Sequence, residues 1–315
     1  VPTGSTHVVI PDTSSINNPV LDNNRTIESL RIEANGTIVG GGYTLTIDSK
    51  GDATTGTSEN YAARIEGIIS SASELNLNFT YSSGEAKVKL APTSGSIHDV
   101  TFNKSGSDNH VFEGATSITG TLWVKDGNVV MMGNNDALSV AEDIRLGNSS
   151  DAGFLGHAGW SAAVDARSLD IVTAGSTFTS TGDVLTLDGE LSDYVFNNDG
   201  VFVHNDGTVT ITTAATTRID GAGASGNQFY NLIINHASAV VQMYSDLIVA
   251  NNLTITAGQL TTGVGGYGYS NLTVTGNTSL GAGAGAGGAD EATLTCNTST
   301  VSLGSTYSSD YGLYV

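Results

Sequence analysis

The chain has 315 residues, a formal net charge of −20 and only 13% charged residues, about half the usual charged share. A polyanion is repelled by DNA, RNA and anionic membranes, and the 11 Lys and Arg form no basic patch, so those partners are not expected. No apolar run reaches the roughly eighteen residues that a membrane-crossing helix needs, and regularly spaced aliphatics at a mean hydropathy of −0.00 argue against disorder.

In chain order, His7–Ile10 reads as a strand, followed by a Pro/Asn-rich turn and a strand region from Ile27 to Ile38. A Gly40-Gly-Gly42 corner leads into Tyr43–Ile47, and residues 50–60 read as a loop. Strands follow at Ala63–Ile69, Leu75–Tyr81 and Ala86–Leu90, and Ala91–Ser96 is a candidate boundary. A long repeat spans about Ile97 to Gly133. The segment 134–195 is less regular and holds the best helix candidates, Ala137–Arg145 and Trp160–Leu169. Asn198-Asp-Gly200 and Asn205-Asp-Gly207 are tight-turn signals around Val201-Phe-Val203. A second long repeat starts near Phe229, and Gly281–Gly288 alternates Gly and Ala. The resulting division is 1–95, 96–225 (a repeat plus an irregular middle insertion) and 226–315. The strand-like ending Tyr311–Val315 suggests that the array continues or pairs with another subunit. The N-terminus shows neither an initiator Met nor a signal peptide, as in a mature product or a piece of a longer protein.

A short phrase recurs: leucine, any residue, an aliphatic, a gap, glycine, any residue, an aliphatic. It occurs as Leu30-Arg-Ile32 to Gly36-Thr-Ile38, Leu122-Trp-Val124 to Gly127-Asn-Val129, Leu185-Thr-Leu187 to Gly189-Glu-Leu191 and Leu253-Thr-Ile255 to Gly258-Gln-Leu260. A looser copy is Leu272-Thr-Val274 to Gly276 and Leu280. Each reads as a strand, a glycine corner and the start of another strand. Such a unit cannot bury its apolar face alone and must stack on its neighbours. At longer range, Ile97–Lys104 matches Phe229–His236, and Ile118–Val124 matches Val249–Ile255 with one residue of spacing difference. The expected fold is therefore all-β, an elongated β-solenoid or β-helix-like stack of short strands, with tandem β-sandwich modules as the rival. The four prolines all lie at or before Pro92, so later strands can donate every ladder hydrogen bond.

Candidate chemistry is sparse. Asp188/Glu190 and Asp290/Glu291 are acidic pairs of the kind a glycosidase uses, the first read as i and i+2 on a strand. The six histidines, His7, His98, His110, His157, His204 and His236, show no metal or nucleophile spacing and read as turn or strand-face residues. Calcium at the Asp-Gly turns is the one cofactor considered, and the expectation is no cofactor and no catalytic or metal residue. Cys296 is the single cysteine, which excludes an intrachain disulfide, and reads as a buried strand residue. Nine Asn-x-Ser/Thr sequons occur, against about six that so much Ser and Thr gives by chance, which is weak evidence of glycosylation. Tyr267, Tyr269, Tyr307, Tyr311 and Tyr314 crowd the last fifth and are the candidate surface-recognition aromatics.

The phrases Phe229-Tyr-Asn-Leu-Ile-Ile, Asn252-Leu-Thr-Ile-Thr-Ala-Gly and Phe202-Val-His-Asn-Asp-Gly-Thr-Val-Thr-Ile resemble repeats of β-solenoid surface proteins. These are bacteriophage tail fibres, spikes and other virion proteins, and secreted bacterial adhesins. The resemblance covers about two-thirds of the chain and is one of repeat style. It implies a non-enzymatic structural protein at a virion surface or outside cells, with a role in host recognition or display. It also implies self-association as a homo-oligomer, often a trimer, and contact with other virion or surface proteins and with host glycans. A secreted adhesin or filament subunit and a polysaccharide-degrading spike enzyme are the alternatives.

Overall fold

The computed structural model describes all residues except 1–5, 13–17, 50–60, 71–73, 82–83, 105–108, 132, 225, 265–267, 282–291, 297–299, 304–312 and 315. Among the described residues every regular element is a strand, and the chain divides into two compact units, 1–157 and 158–315. Each unit is a β-solenoid: strands pair in parallel with the strand one turn further along the chain.

In the first unit, a first ladder joins Arg25–Ile27, Thr44–Ile47, Leu75–Phe79, Ile97–Asn103, the front of Leu122–Met131 and the end of Leu138–Leu146. A second joins His7–Ile10, Ser29–Ile32, Tyr61–Ile65, Ala86–Leu90, Asn109–Phe112, the back of Leu122–Met131 and Gly153–Gly156. Shorter pairings on a third side join Thr37–Ile38 to Ile68–Ile69, and Thr116–Ile118 to the front of Leu138–Leu146. The second unit repeats the scheme. Its first ladder takes the front of Val164–Ile171, then Val184–Leu187, Thr208–Ile211, the fronts of Asn231–Met243 and Leu253–Thr261, and Thr278–Leu280. Its second takes the back of Val164–Ile171, Tyr194–Asn198, Thr216–Ile219, the backs of the two long strands and Ala292–Thr295. Thr177–Thr179 pairs with Val201–Val203, and Leu247–Val249, Leu272–Val274 and Val301–Leu303 form the remaining side.

Alternation and register together build the core. Side chains point alternately in and out along a strand, so one aliphatic every second residue fills the interior. In-register pairing then places like residues directly over one another. One inward column runs Leu45, Leu77, Val100, Leu122 and Ile144; the next runs Ile47, Phe79, Phe102, Val124 and Leu146, and all are buried. Phe79 and Phe102 stack with ring centroids 4.8 Å apart and planes 10° from parallel, which is the spacing of adjacent strands. In the second unit Phe196, Phe202 and Phe229 pack edge to face, with centroids 4.8 to 5.6 Å apart. Two facing antiparallel sheets, the sandwich rival, are excluded by these parallel ladders.

The ladders explain the repeats. Val100 pairs with Leu122 and Phe102 with Val124, just as Leu232 pairs with Leu253 and Ile234 with Ile255. The long sequence matches are therefore consecutive turns within each unit. The short phrase, by contrast, marks strand-and-corner wherever it falls. Leu122, Leu185 and Leu253 belong to first ladders, Leu30 to a second and Leu272 to a third. At Gly127 and Gly258 the corner is a bend inside one continuous strand. Both glycines have positive φ, 88° and 91°, and a Cβ on them would lie 2.8 Å from the Lys104 carbonyl oxygen and 2.5 Å from that of His236.

Both helix candidates are strands, Leu138–Leu146 and Val164–Ile171. Leu138, Val140, Ile144 and Leu146 all face the interior and pair with Thr116, Ile118, Leu122 and Val124. An open ladder edge, offered a full set of backbone partners, outweighs a weak local helix preference. The irregular stretch 134–195 therefore supplies ladder turns of its own. Turn length varies: Leu45 to Leu77 is a longer turn than Val100 to Leu122, with the extra residues falling between Ile47 and Tyr61, and Gly258 to Ala292 in the second unit is longer still.

Phe102→Ala should cost about 3–5 kcal/mol, because its ring touches Phe79, His110 and Phe112 in a closed interior. Gly127→Ala should cost more than Gly114→Ala, since Gly114 has a similar φ of 83° but open space around it. Urea unfolding of the three variants measures both differences.

Candidate functional site

Of the five tyrosines, Tyr269 is the one whose side chain the structure describes. It is 59% exposed, on a two-residue strand Gly268–Tyr269 that pairs antiparallel with Gly263–Val264. This hairpin departs from the parallel ladders and stands its tyrosine in solvent. Tyr267, Tyr307 and Tyr311 lie outside the described residues, and Tyr314 is described only as backbone in Leu313–Tyr314.

The acidic pair Asp188/Glu190 is not on a strand. It flanks Gly189 in the corner after Val184–Leu187, where the Asp188 and Gly189 N–H groups donate to Ala166 and Arg167 carbonyls of the preceding turn. Asp188 is exposed, while Glu190 Oε2 is buried and lacks a hydrogen-bond partner. Asp290/Glu291 lies outside the described residues. Cys296 is half-buried just after Ala292–Thr295, not a buried strand residue, because Leu294 beside it is itself only half-covered.

The Asn-Asp-Gly turns are built from their own amides. Asn198 accepts from the Gly200 N–H at 3.0 Å and donates to the Gly221 carbonyl at 3.1 Å. Asn205 and Asp206 both have positive φ, 49° and 56°, and Asn205 donates to the Trp160 carbonyl at 3.1 Å. Burial, then the charges of Asp220 and Asp170, raises the Asp199 carboxyl above its ordinary range. Among the described residues no group of three or more His, Cys, Asp and Glu is placed to hold a metal ion.

Two arrangements were not read from the sequence. The first is a set of Asn and Asp side chains at strand starts or, for Asn76 and Asp99, near the beginning of a strand beside a register shift, each accepting from a backbone N–H of the next turn. Asn24 accepts from Thr44 at 2.9 Å, Asn76 from Asp99 at 3.1 Å and Asp99 from Thr121 at 2.9 Å. In the second unit Asn231 accepts from Asn252, Asn252 from Asn277, Asp246 from Asn271 and Asn271 from Thr300. Where the ladder begins or shifts register, the side-chain oxygen replaces the missing backbone acceptor. The abundance of Asn, and the positions of the Asn252 and Asn271 sequons, follow from this demand.

The second is polar chemistry inside the first unit. His110 is fully buried among Phe79, Phe102 and Tyr81, with ring centroids 6.0, 4.6 and 4.5 Å away. The Tyr81 hydroxyl and His110 Nδ1 share a hydrogen bond of 2.5 Å, and His110 Nε2 is buried without a partner. Burial, helped by the nearby Lys104 charge, lowers the His110 pKa to about 3, and burial keeps the Tyr81 phenol protonated far above its usual range. Lys104 is fully buried as well; its ammonium donates to the Gly84 carbonyl at 3.4 Å and lies 5.6 Å from the Tyr81 ring centre. The alternation Asn109-His-Val-Phe112 placed His110 on the inward face with Phe112, a signal present in the sequence; nothing comparable marks Lys104.

A base whose folded pKa lies below its unfolded value binds fewer protons folded than unfolded, so stability falls as the pH drops through that window. Between the ordinary histidine value of 6.5 and the folded value of about 3, His110 should remove about 1.4 kcal/mol of stability per pH unit. His110→Phe should flatten this part of the curve, measured as urea unfolding free energies at pH 7 and pH 4. No protein-family model, curated protein or solved structure matches this chain.

Proposed function

We propose that the chain is a non-enzymatic structural protein of a virion surface, of the fibre, spike or decoration type, that displays or extends a host-recognition surface. The observation that carries this reading is the use each turn makes of its residues. Inward positions are spent on stacked aliphatics and aromatics, and side-chain amides on tying one turn to the next. What remains for function is the outward rows, such as Thr46, Asn78, Thr101 and Trp123 in one unit and Thr186, Thr210, Ile233 and Thr254 in the other. A stiff scaffold of this kind suits display and spacing. Exposed Tyr269 on its hairpin is the contact residue of first choice, since tyrosine offers a large amphipathic surface with few rotamers to fix.

Peptide mass spectrometry on purified virus particles, and on the surface fraction of the source cells, tests the assignment. Stoichiometric recovery with the particles is expected; recovery only from cell-surface or secreted material would transfer the chain to the adhesin or filament class. Tyr269→Ala should weaken binding of the protein to host cells about tenfold while leaving its thermal unfolding unchanged. Asp188→Asn and Glu190→Gln should leave that binding intact, and loss of a glycan-cleaving activity in either variant would point to a spike enzyme instead.

A further inference from the structure

Charge is unevenly spread over the faces of the first unit. On the outward side of its second ladder, Arg31, Arg64 and Lys89 follow Val9 in one register column. Tyr61, Lys87, Val111 and Val130 form the neighbouring column. Glutamates stand beside these cations. Arg31 pairs with Glu33 at 3.1 Å, Arg64 and Lys89 share Glu66 at 2.7 and 2.6 Å, and Lys87 lies 3.6 Å from Glu113. The Tyr61 hydroxyl donates to Glu113 at 2.6 Å, and the Arg64 guanidinium lies over the Tyr61 ring at 5.3 Å. At the border His7 is 3.4 Å from Glu28. Four permanent cations thus meet three glutamates, with Glu28 beside His7 as a fourth, on one face of a chain whose net charge is −20. The Arg64–Glu66–Lys89 set is tight enough to hold the Glu66 carboxyl below its ordinary range, through the Arg64 hydrogen bond first.

We propose that this face pairs with the same face of a second copy of the chain. The inference rests on the reading of the protein as an assembling surface component, and it names the surface that assembles. Two copies of a strongly acidic chain repel over most of their surface. Approach costs least where each offers equal numbers of both signs. Arg31 and Arg64 precede Glu33 and Glu66 by two residues, about 7 Å along the strand, so these two glutamates form a column parallel to the Arg31–Arg64–Lys89 column, which Glu113 continues in register with Lys89. A two-fold axis between the faces, along the stacking direction, sets Arg31 and Arg64 of one copy opposite Glu33 and Glu66 of the other, as a self-complementary contact requires. Val9, Val111, Val130 and the Tyr61 ring, all at least partly exposed, supply apolar surface between the charges.

Sedimentation equilibrium on the whole chain tests this. The wild type should associate reversibly. Val130→Glu, which breaks no ion pair, and Arg64→Glu/Lys89→Glu, which turns the face acidic, should each weaken the dimer about tenfold or more. Thr210→Glu adds the same charge as Val130→Glu on an outward row of the other unit, and should associate as the wild type does. Cooperative thermal unfolding of each variant confirms that it folds. A monomeric wild type, a folded Val130→Glu that associates normally, or equal weakening by Thr210→Glu overturns the proposal. None of these outcomes changes recovery from virus particles, which tests the function by itself.

Discussion

The structure depends on in-register parallel pairing at the spacing of one strand. A strand inside a ladder must satisfy hydrogen bonds toward the turn before it and the turn after it. Once that is met, side chains have no freedom of position: each sits directly above its counterpart. The stacked Phe79 and Phe102 rings and the aliphatic columns beside them are consequences of the backbone, not separate inventions. So are the side-chain amides that tie one turn to the next. Where a ladder begins or shifts register, the next turn still presents an N–H at the same height, and Asn24, Asn76 or Asn252 meets it.

The same constraint accounts for the composition. Solenoid turns of this size need β-branched and aliphatic residues inward, small hydroxyl and amide residues outward, and glycine where one turn's corner presses on the carbonyls of the last. Few charges are required, and most cations are consumed locally. Arg64 and Lys89 hold Glu66, Arg218 reaches Asp193, and Lys125 and Arg145 lie over the Trp123 ring. The interior tolerates polar atoms only where they are neutral or enclosed, as at His110 beside Tyr81.

Fold class was legible because alternation with period two, and self-similarity at about one turn, are properties of sequence alone. The match of Ile97–Lys104 to Phe229–His236 found residues in equivalent turns, Val100 with Leu232 and Phe102 with Ile234. What misled was local. Leu138–Leu146 and Val164–Ile171 carry Ala, Glu, Arg and Leu, which favour helix in isolation, and only the ladder edge waiting for them decides otherwise. The Asp188/Glu190 geometry failed for a similar reason, since Gly189 turns the chain before the second carboxylate. Lys104 was out of reach because its burial depends on residues twenty or more positions away, at Tyr81 and Gly84. The outward neutral face was invisible for the same cause: Arg31, Arg64 and Lys89 are scattered in the chain and become a column only when the turns are stacked.

The long turn between Leu45 and Leu77 carries a further consequence. Its register with the turns on either side is undisturbed: Thr46 still meets Asn78, and Ile47 still meets Phe79. Length added between Ile47 and Tyr61 is therefore invisible to the ladders, because pairing fixes where strands meet and is indifferent to how far the chain travels between them. Chain length between paired strands is where such a protein can diversify cheaply. A new recognition loop could be exchanged there, by evolution or by grafting, while the rest of the molecule keeps its coordinates.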